Sequence, residues 1–141
     1  MTKTYQKFEW NESYEIGIPE IDSQHKKLIA ISNELYDVAT KGGDSFKSNM
    51  AKVLKSLTDY TVYHFGNEEE NFQKKYGYPG FEMHKVAHEQ FIAELKHQVA
   101  KLEEGGSQED AFIFYDYVAN WIITHIGKAD PVWAKFVKTK M

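Results

Sequence analysis

Apolar residues recur at helical intervals in four stretches of this chain, and no stretch shows the period-two alternation of a half-buried strand. From about Pro19 to Thr40 they fall at Ile21, Leu28, Ile29, Leu35 and Tyr36, and Lys41-Gly42-Gly43 follows as a helix end, a basic residue and then glycines. A second pattern, from about Asp44 to Tyr76, passes through Met50, Val53, Leu54, Leu57, Tyr60, Thr61 and Phe72. It predicts one long helix, broken by Gly77-Tyr78-Pro79-Gly80. A third passes through Phe91, Ile92, Leu95, Val99 and Leu102 to Gly105-Gly106, and Ser107 is placed to N-cap a fourth through Ala111, Phe114, Tyr115, Val118, Trp121 and Ile122. Four amphipathic helices with short, glycine-containing links predict an all-α fold, an antiparallel up-down-up-down four-helix bundle. Residues 1–18 carry Tyr5, Phe8, Trp10 and Tyr14 without a helical period and are expected to pack as an arm on the outside. The expected organisation is one domain over 1–141, with the arm at 1–18, the bundle at 19–126 and a short C-terminal helix at 130–138.

The polar residues that interrupt these apolar faces are mostly of one chemical kind. His25 lies on the first helix, His64 and Glu68 on the second, His84 and His88 on the third and His125 on the fourth, with Asp130 just beyond. Side chains four apart on a helix stand one above the other, so His64/Glu68 and His84/His88 each aim two ligand atoms at one point. One such pair is weak evidence, but the spacing repeated across helices points to a metal site in the bundle core. A metal-free bundle would bury five imidazoles and two acids at a cost. The interval from His125 to Asp130 is five, which a continuous α-helix places badly on one face; Gly127 and the residue-before-proline constraint at Asp130-Pro131 predict that the helix opens there. Glu69 and Glu70 read as a solvated face, and His97, nine residues after His88, points outward.

The chain has 141 residues and a net charge of -4, with no cysteine. It also has no arginine, so the bidentate contacts that phosphates and bases attract are missing and nucleic acid is not an expected partner. Without cysteine there is no disulfide, thiolate or iron–sulfur chemistry, and any metal sits among nitrogen and oxygen ligands that suit iron and manganese alike. No apolar run approaches the ~20 residues of a membrane span, and Met1 to Trp10 lacks a signal-peptide core, so a cytoplasmic protein without a membrane partner is expected.

With these residues in hand, the chain resembles the hemerythrin family, in its single-domain bacterial or archaeal form. The resemblance is carried by the Trp-containing arm, Asp22-Ser23-Gln24-His25, His64-Phe65-Gly66-Asn67-Glu68-Glu69, Tyr78-Pro79, His84-Lys85-Val86-Ala87-His88 and His125-Ile126-Gly127-Lys128-Ala129-Asp130. It implies a non-haem diiron centre that binds O2 reversibly. By resemblance, His84, His88 and His125 hold one iron, His25 and His64 hold the other, and Glu68 and Asp130 bridge the pair together with a hydroxo or oxo group. Asn71 and Phe72 depart from the aliphatic or Met residues expected after the HxxxE segment.

With about six positions per iron, the three-histidine metal is filled and the two-histidine metal keeps one position open for O2. Leu28, Trp121, Ile122 and Ile126, at helical offsets from the ligands, are expected to wall that position as well as to fill the core. The expectation is an O2 carrier or store, not an enzyme. The competing classes are a diiron enzyme reducing O2, peroxide or nitric oxide, and a redox sensory module with a signalling partner; the absence of an attached signalling domain weighs against the second. A monomer or weak homo-oligomer is expected.

Overall fold

The computed structural model describes residues 7–141. Its long elements are α1 (Pro19–Lys41), α2 (Phe46–Glu68), α3 (Phe81–Glu103), α4 (Gln108–Thr124) and the short α5 (Asp130–Lys138). A single 3₁₀ turn, Glu12–Tyr14, lies in the arm, and no strand occurs among the described residues. Helix α1 packs on α2 and α4, and α3 closes the bundle against the same two. The short links make consecutive helices antiparallel, giving the up-down-up-down order.

The helix ends follow local chemistry. Pro19 opens α1 with Glu20 and Asp22 in the first turn, where the missing proline N–H costs nothing and acidic groups face the positive end of the helix dipole. Gly42 ends it at φ 57, a conformation that a side chain would disfavour. Ser107 caps α4 reciprocally: its hydroxyl accepts from Asp110 N–H at 3.2 Å, and Asp110 Oδ2 accepts from Ser107 N–H at 2.9 Å.

The sequence predicts one helix from about Asp44 to Tyr76, but α2 ends at Glu68 and continues as a π turn over Glu69–Gln73. The opening predicted at Gly127 does not occur either. A second π turn over His125–Ala129 keeps the chain helical, with the Asp130 N–H bonded to the His125 carbonyl. A π turn bonds i to i+5, so it stacks residues five apart. His125 and Asp130 thereby come to share a face that an α-helix would deny them.

Two apolar clusters result. The larger fills the bundle and includes Leu28, Leu35, Leu57, Phe65, Phe91, Val118 and Ile126. The smaller joins Ile16, Ile18 and Ile21 to Phe72, Trp133 and Val137, so the arm, the first π turn and α5 cap one end. Along α1, His25 falls between Ile21 of one cluster and Leu28 of the other; Glu68 falls likewise between Phe65 and Phe72. The polar cluster is thus sealed from both sides. The arm is held as expected, with the Phe8 N–H donating to Tyr115 Oη at 3.1 Å and Asn33 Nδ2 donating to the Phe8 carbonyl at 2.9 Å. Tyr5 lies outside the described residues. No helix among those described is long and apolar enough to cross a membrane.

Candidate metal centre

All seven residues picked out by spacing meet in one place, and none is more than 8% exposed. Their ligand atoms form two overlapping groups, Glu68 with His84, His88, His125 and Asp130, and His25 with His64 and Glu68. The distances show how the carboxylates divide. Asp130 Oδ1 stands 3.3 Å from His84 Nε2 and 3.2 Å from His125 Nε2, whereas Oδ2 stands 3.0 Å from His25 Nε2. Glu68 Oε1 faces His88 Nε2 at 3.5 Å, whereas Oε2 faces His25 Nε2 at 3.3 Å and His64 Nε2 at 3.5 Å. Each carboxylate therefore turns one oxygen to a three-histidine group and the other to a two-histidine group.

These spacings fit metal ligation better than mutual hydrogen bonding. His88 Nε2 and His125 Nε2 approach to 3.0 Å, which as a hydrogen bond would require one of the two Nε2 atoms to carry the proton. Two ligands at right angles, each about 2.1 Å from a metal, stand about 3.0 Å apart. Glu68 Oε1, His84 Nε2 and Asp130 Oδ2 are buried without a properly directed hydrogen-bond partner. A donor set that converges on common points and leaves three of its atoms unsatisfied by its own members is what a cation would satisfy.

Surrounding groups fix the imidazoles. His64 Nδ1 lies 2.7 Å from Gln24 Oε1, and Asn67 Nδ2 donates to the same oxygen at 3.2 Å. His88 Nδ1 lies 2.7 Å from Glu69 Oε2. Both oxygens can only accept, so each Nδ1 carries the proton and each Nε2 lone pair faces the centre. Trp133 Nε1 donates to Asp130 Oδ1 at 3.0 Å. Phe65 stacks on His88 at 3.7 Å and Trp121 on His125 at 4.4 Å, limiting ring rotation.

Glu69 corrects the reading of Glu69 and Glu70 as one solvated face: its side chain is 13% exposed and bound to His88, whereas Glu70 is 61% exposed. On a helical wheel Glu69 lies well off the Glu68 direction, but α3 stands on that side. Gln24 and Trp133 were also missed as orienting groups. Trp133 sits three residues after Asp130, a spacing that signals contact. His97 is exposed, as its position on α3 predicts.

Without metal, the buried charges pull against one another. Burial alone would lower the His25 pKa, but the carboxylates of Asp130 and Glu68 outweigh it and push it up to about 10. Burial and the Asp130 charge push Glu68 up to about 7. Burial, reinforced by His125 and His84, pushes His88 down to about 2, and burial likewise holds His64 well below the usual range. Asp130 stays far below the carboxylate range because His125 and its other imidazole neighbours overcome its desolvation.

Beside His25, His64, His125 and Asp130 lies a small cavity whose other walls are Leu28, Thr61, Phe65, Phe91, Trp121, Ile122 and Ile126. It offers about 10 Å³, room for one water-sized molecule.

Comparison with known proteins agrees with this geometry. The hemerythrin HHE cation binding domain family matches residues 16–137. A bacteriohemerythrin of Methylococcus capsulatus is 34% identical over 114 residues, covering 79% of this chain and 82% of its own. One from Clostridium acetobutylicum is 31% identical, covering 87% of this chain and 95% of its own. A crystal structure of wild-type hemerythrin superposes with a TM-score of 0.76 at 28% identity, covering 92% of this chain and 97% of that one. The matched span includes every residue of the buried cluster, and the chain belongs to the hemerythrin family.

Proposed function

We propose that this protein binds O2 reversibly at a non-haem diiron centre, with His84, His88 and His125 on one iron, His25 and His64 on the other, and Glu68 and Asp130 across both. The observation that carries this reading is the division of each carboxylate between histidine groups of unequal size. A ferrous pair supplies two electrons that O2 takes on binding and returns on leaving. His25 and His64 offer one nitrogen fewer than His84, His88 and His125, so a metal held on their side would keep room for O2; the cavity adjoins His25 and His64, and His125 and Asp130 also line it.

The chain's own residues do the rest. Glu69 and Gln24 hold the Nε2 atoms of His88 and His64 free of protons. Trp133 fixes the Asp130 carboxylate, and Leu28, Ile122 and Ile126 keep bulk water from the cavity. A cavity of about 10 Å³ is of the size of a single small molecule and has no room for an organic substrate, which favours a carrier over an oxygenase. The same reading takes residues 1–141 as one hemerythrin-like domain, supported by the family match over 16–137.

The test is anaerobic loading with ferrous iron, then cycles of O2 and inert gas followed by absorption spectroscopy. The proposal expects stoichiometric uptake that reverses on purging. Steady O2 consumption in the presence of reductant, with no reversible phase, would favour the enzymatic alternative.

A further inference from the structure

Thr61 lies on α2 one turn before His64, is 1% exposed, and its hydroxyl oxygen has no hydrogen-bond partner. Among the described residues the other buried serine or threonine hydroxyl, that of Ser32, is paired. The hydroxyls of Ser32 and Thr58 both donate back to the carbonyl four residues earlier, to Leu28 and Leu54 at 2.9 Å each. Thr61 instead lines the cavity beside His25 and His64. Of the lining residues outside the seven clustered ones, only Thr61 and Trp121 carry a polar side-chain atom. A buried hydroxyl left unpaired is destabilising, so its place beside this cavity calls for a partner inside it.

We propose that the Thr61 hydroxyl is a ligand-binding group of this cavity, hydrogen-bonded to whatever small molecule occupies it. A hydroxyl both donates and accepts, so Thr61 can hold a water in the resting protein and donate to an oxygen or nitrogen atom of an entering ligand. The inference rests on the proposed diiron reading, because it places that ligand beside the two-histidine metal. Thr61 sets affinity and orientation, and an iron pair held by the clustered residues would supply the bond.

The test uses the iron-loaded full chain, azide as the probe, and two variants. Thr61→Val keeps the shape and removes the hydroxyl, and Thr61→Ser keeps the hydroxyl. Thr61→Val is expected to retain the wild-type iron content and to bind azide about tenfold more weakly, the loss of roughly one hydrogen bond. The infrared azide stretch should shift and lose its sensitivity to D2O, and Thr61→Ser should restore both. Crystals of the iron-loaded wild type without azide should show a water within hydrogen-bonding distance of Thr61 Oγ1, absent from Thr61→Val. Equal azide affinity and an unshifted stretch in Thr61→Val would overturn the proposal. Wild-type protein that holds no iron pair would overturn the diiron reading and this inference with it, and that is seen before any variant is compared.

Discussion

Replacing Glu69 tests whether the centre depends on more than its seven clustered residues. In the wild type, Glu69 Oε2 accepts from His88 Nδ1 at 2.7 Å, and His88 is fully buried. That length marks a charge-assisted hydrogen bond. Glu69→Ala removes the acceptor, so the ring can rotate and its Nδ1 proton is no longer fixed. Loss of such an orienting partner typically weakens metal binding about 10- to 100-fold, or about 1.4–2.7 kcal/mol. The 13% exposure of the Glu69 side chain lets water replace part of the interaction, which places the expected loss toward the lower end. Glu69→Gln, which keeps an acceptor and loses the charge, should fall between the two. The assay is competition for ferrous iron between protein and a chelator, with Glu70→Ala as control; Glu70 is 61% exposed and lies 3.6 Å from Lys74 on the surface. If Glu69→Ala keeps its iron as well as Glu70→Ala does, the Glu69 contact plays no part in holding the metal.

Trp121→Ala should speed autoxidation while leaving iron content unchanged, at a stability cost of about 3 kcal/mol for lost packing on His125 and Phe91. Leu54→Ala, a buried change far from the cluster, is the control, and equal autoxidation rates would make Trp121 a packing residue only. Metal uptake should release protons, because His25, with a pKa near 10, is protonated at neutral pH and Glu68, near 7, is half so. At least about one proton per chain should appear at pH 7, and more at pH 6 than at pH 9, where Glu68 is already ionised; a pH-indicator dye in weak buffer reads this, and no release at any pH contradicts it. Stripping the metal should lower the melting temperature, since the buried Glu68, His84 and Asp130 atoms without partners each cost on the order of 1–3 kcal/mol. Equal calorimetric melting of the two forms would mean that no metal ties these groups together.

The four helices and the seven clustered residues were legible because both follow α-helical arithmetic. Apolar residues mark the inward faces, and His25, His64, His84 and His88 stand on those faces where polar groups are otherwise scarce. The two π turns were not legible. Each adds a residue within a turn without altering which residue types point inward, and Gly127 gave a plausible but mistaken signal for an opening. Asp130 was therefore placed correctly near the core for the wrong reason: the backbone stays helical and gains an i to i+5 bond. Glu69 escaped because a helical wheel describes one helix, and its partner His88 belongs to the next. Thr61 reads in the sequence as one more residue of an inward face, and only the absence of a backbone partner sets its hydroxyl apart.

The central claim is that two metals of unequal ligation share Glu68 and Asp130. Its most direct measurement is an anomalous difference map at the iron edge from crystals of the iron-loaded protein. The account predicts two peaks per chain, one among the Nε2 atoms of His84, His88 and His125 and one beside those of His25 and His64, with both carboxylates reaching each peak. A single peak, or two peaks that Glu68 and Asp130 do not span, would contradict it.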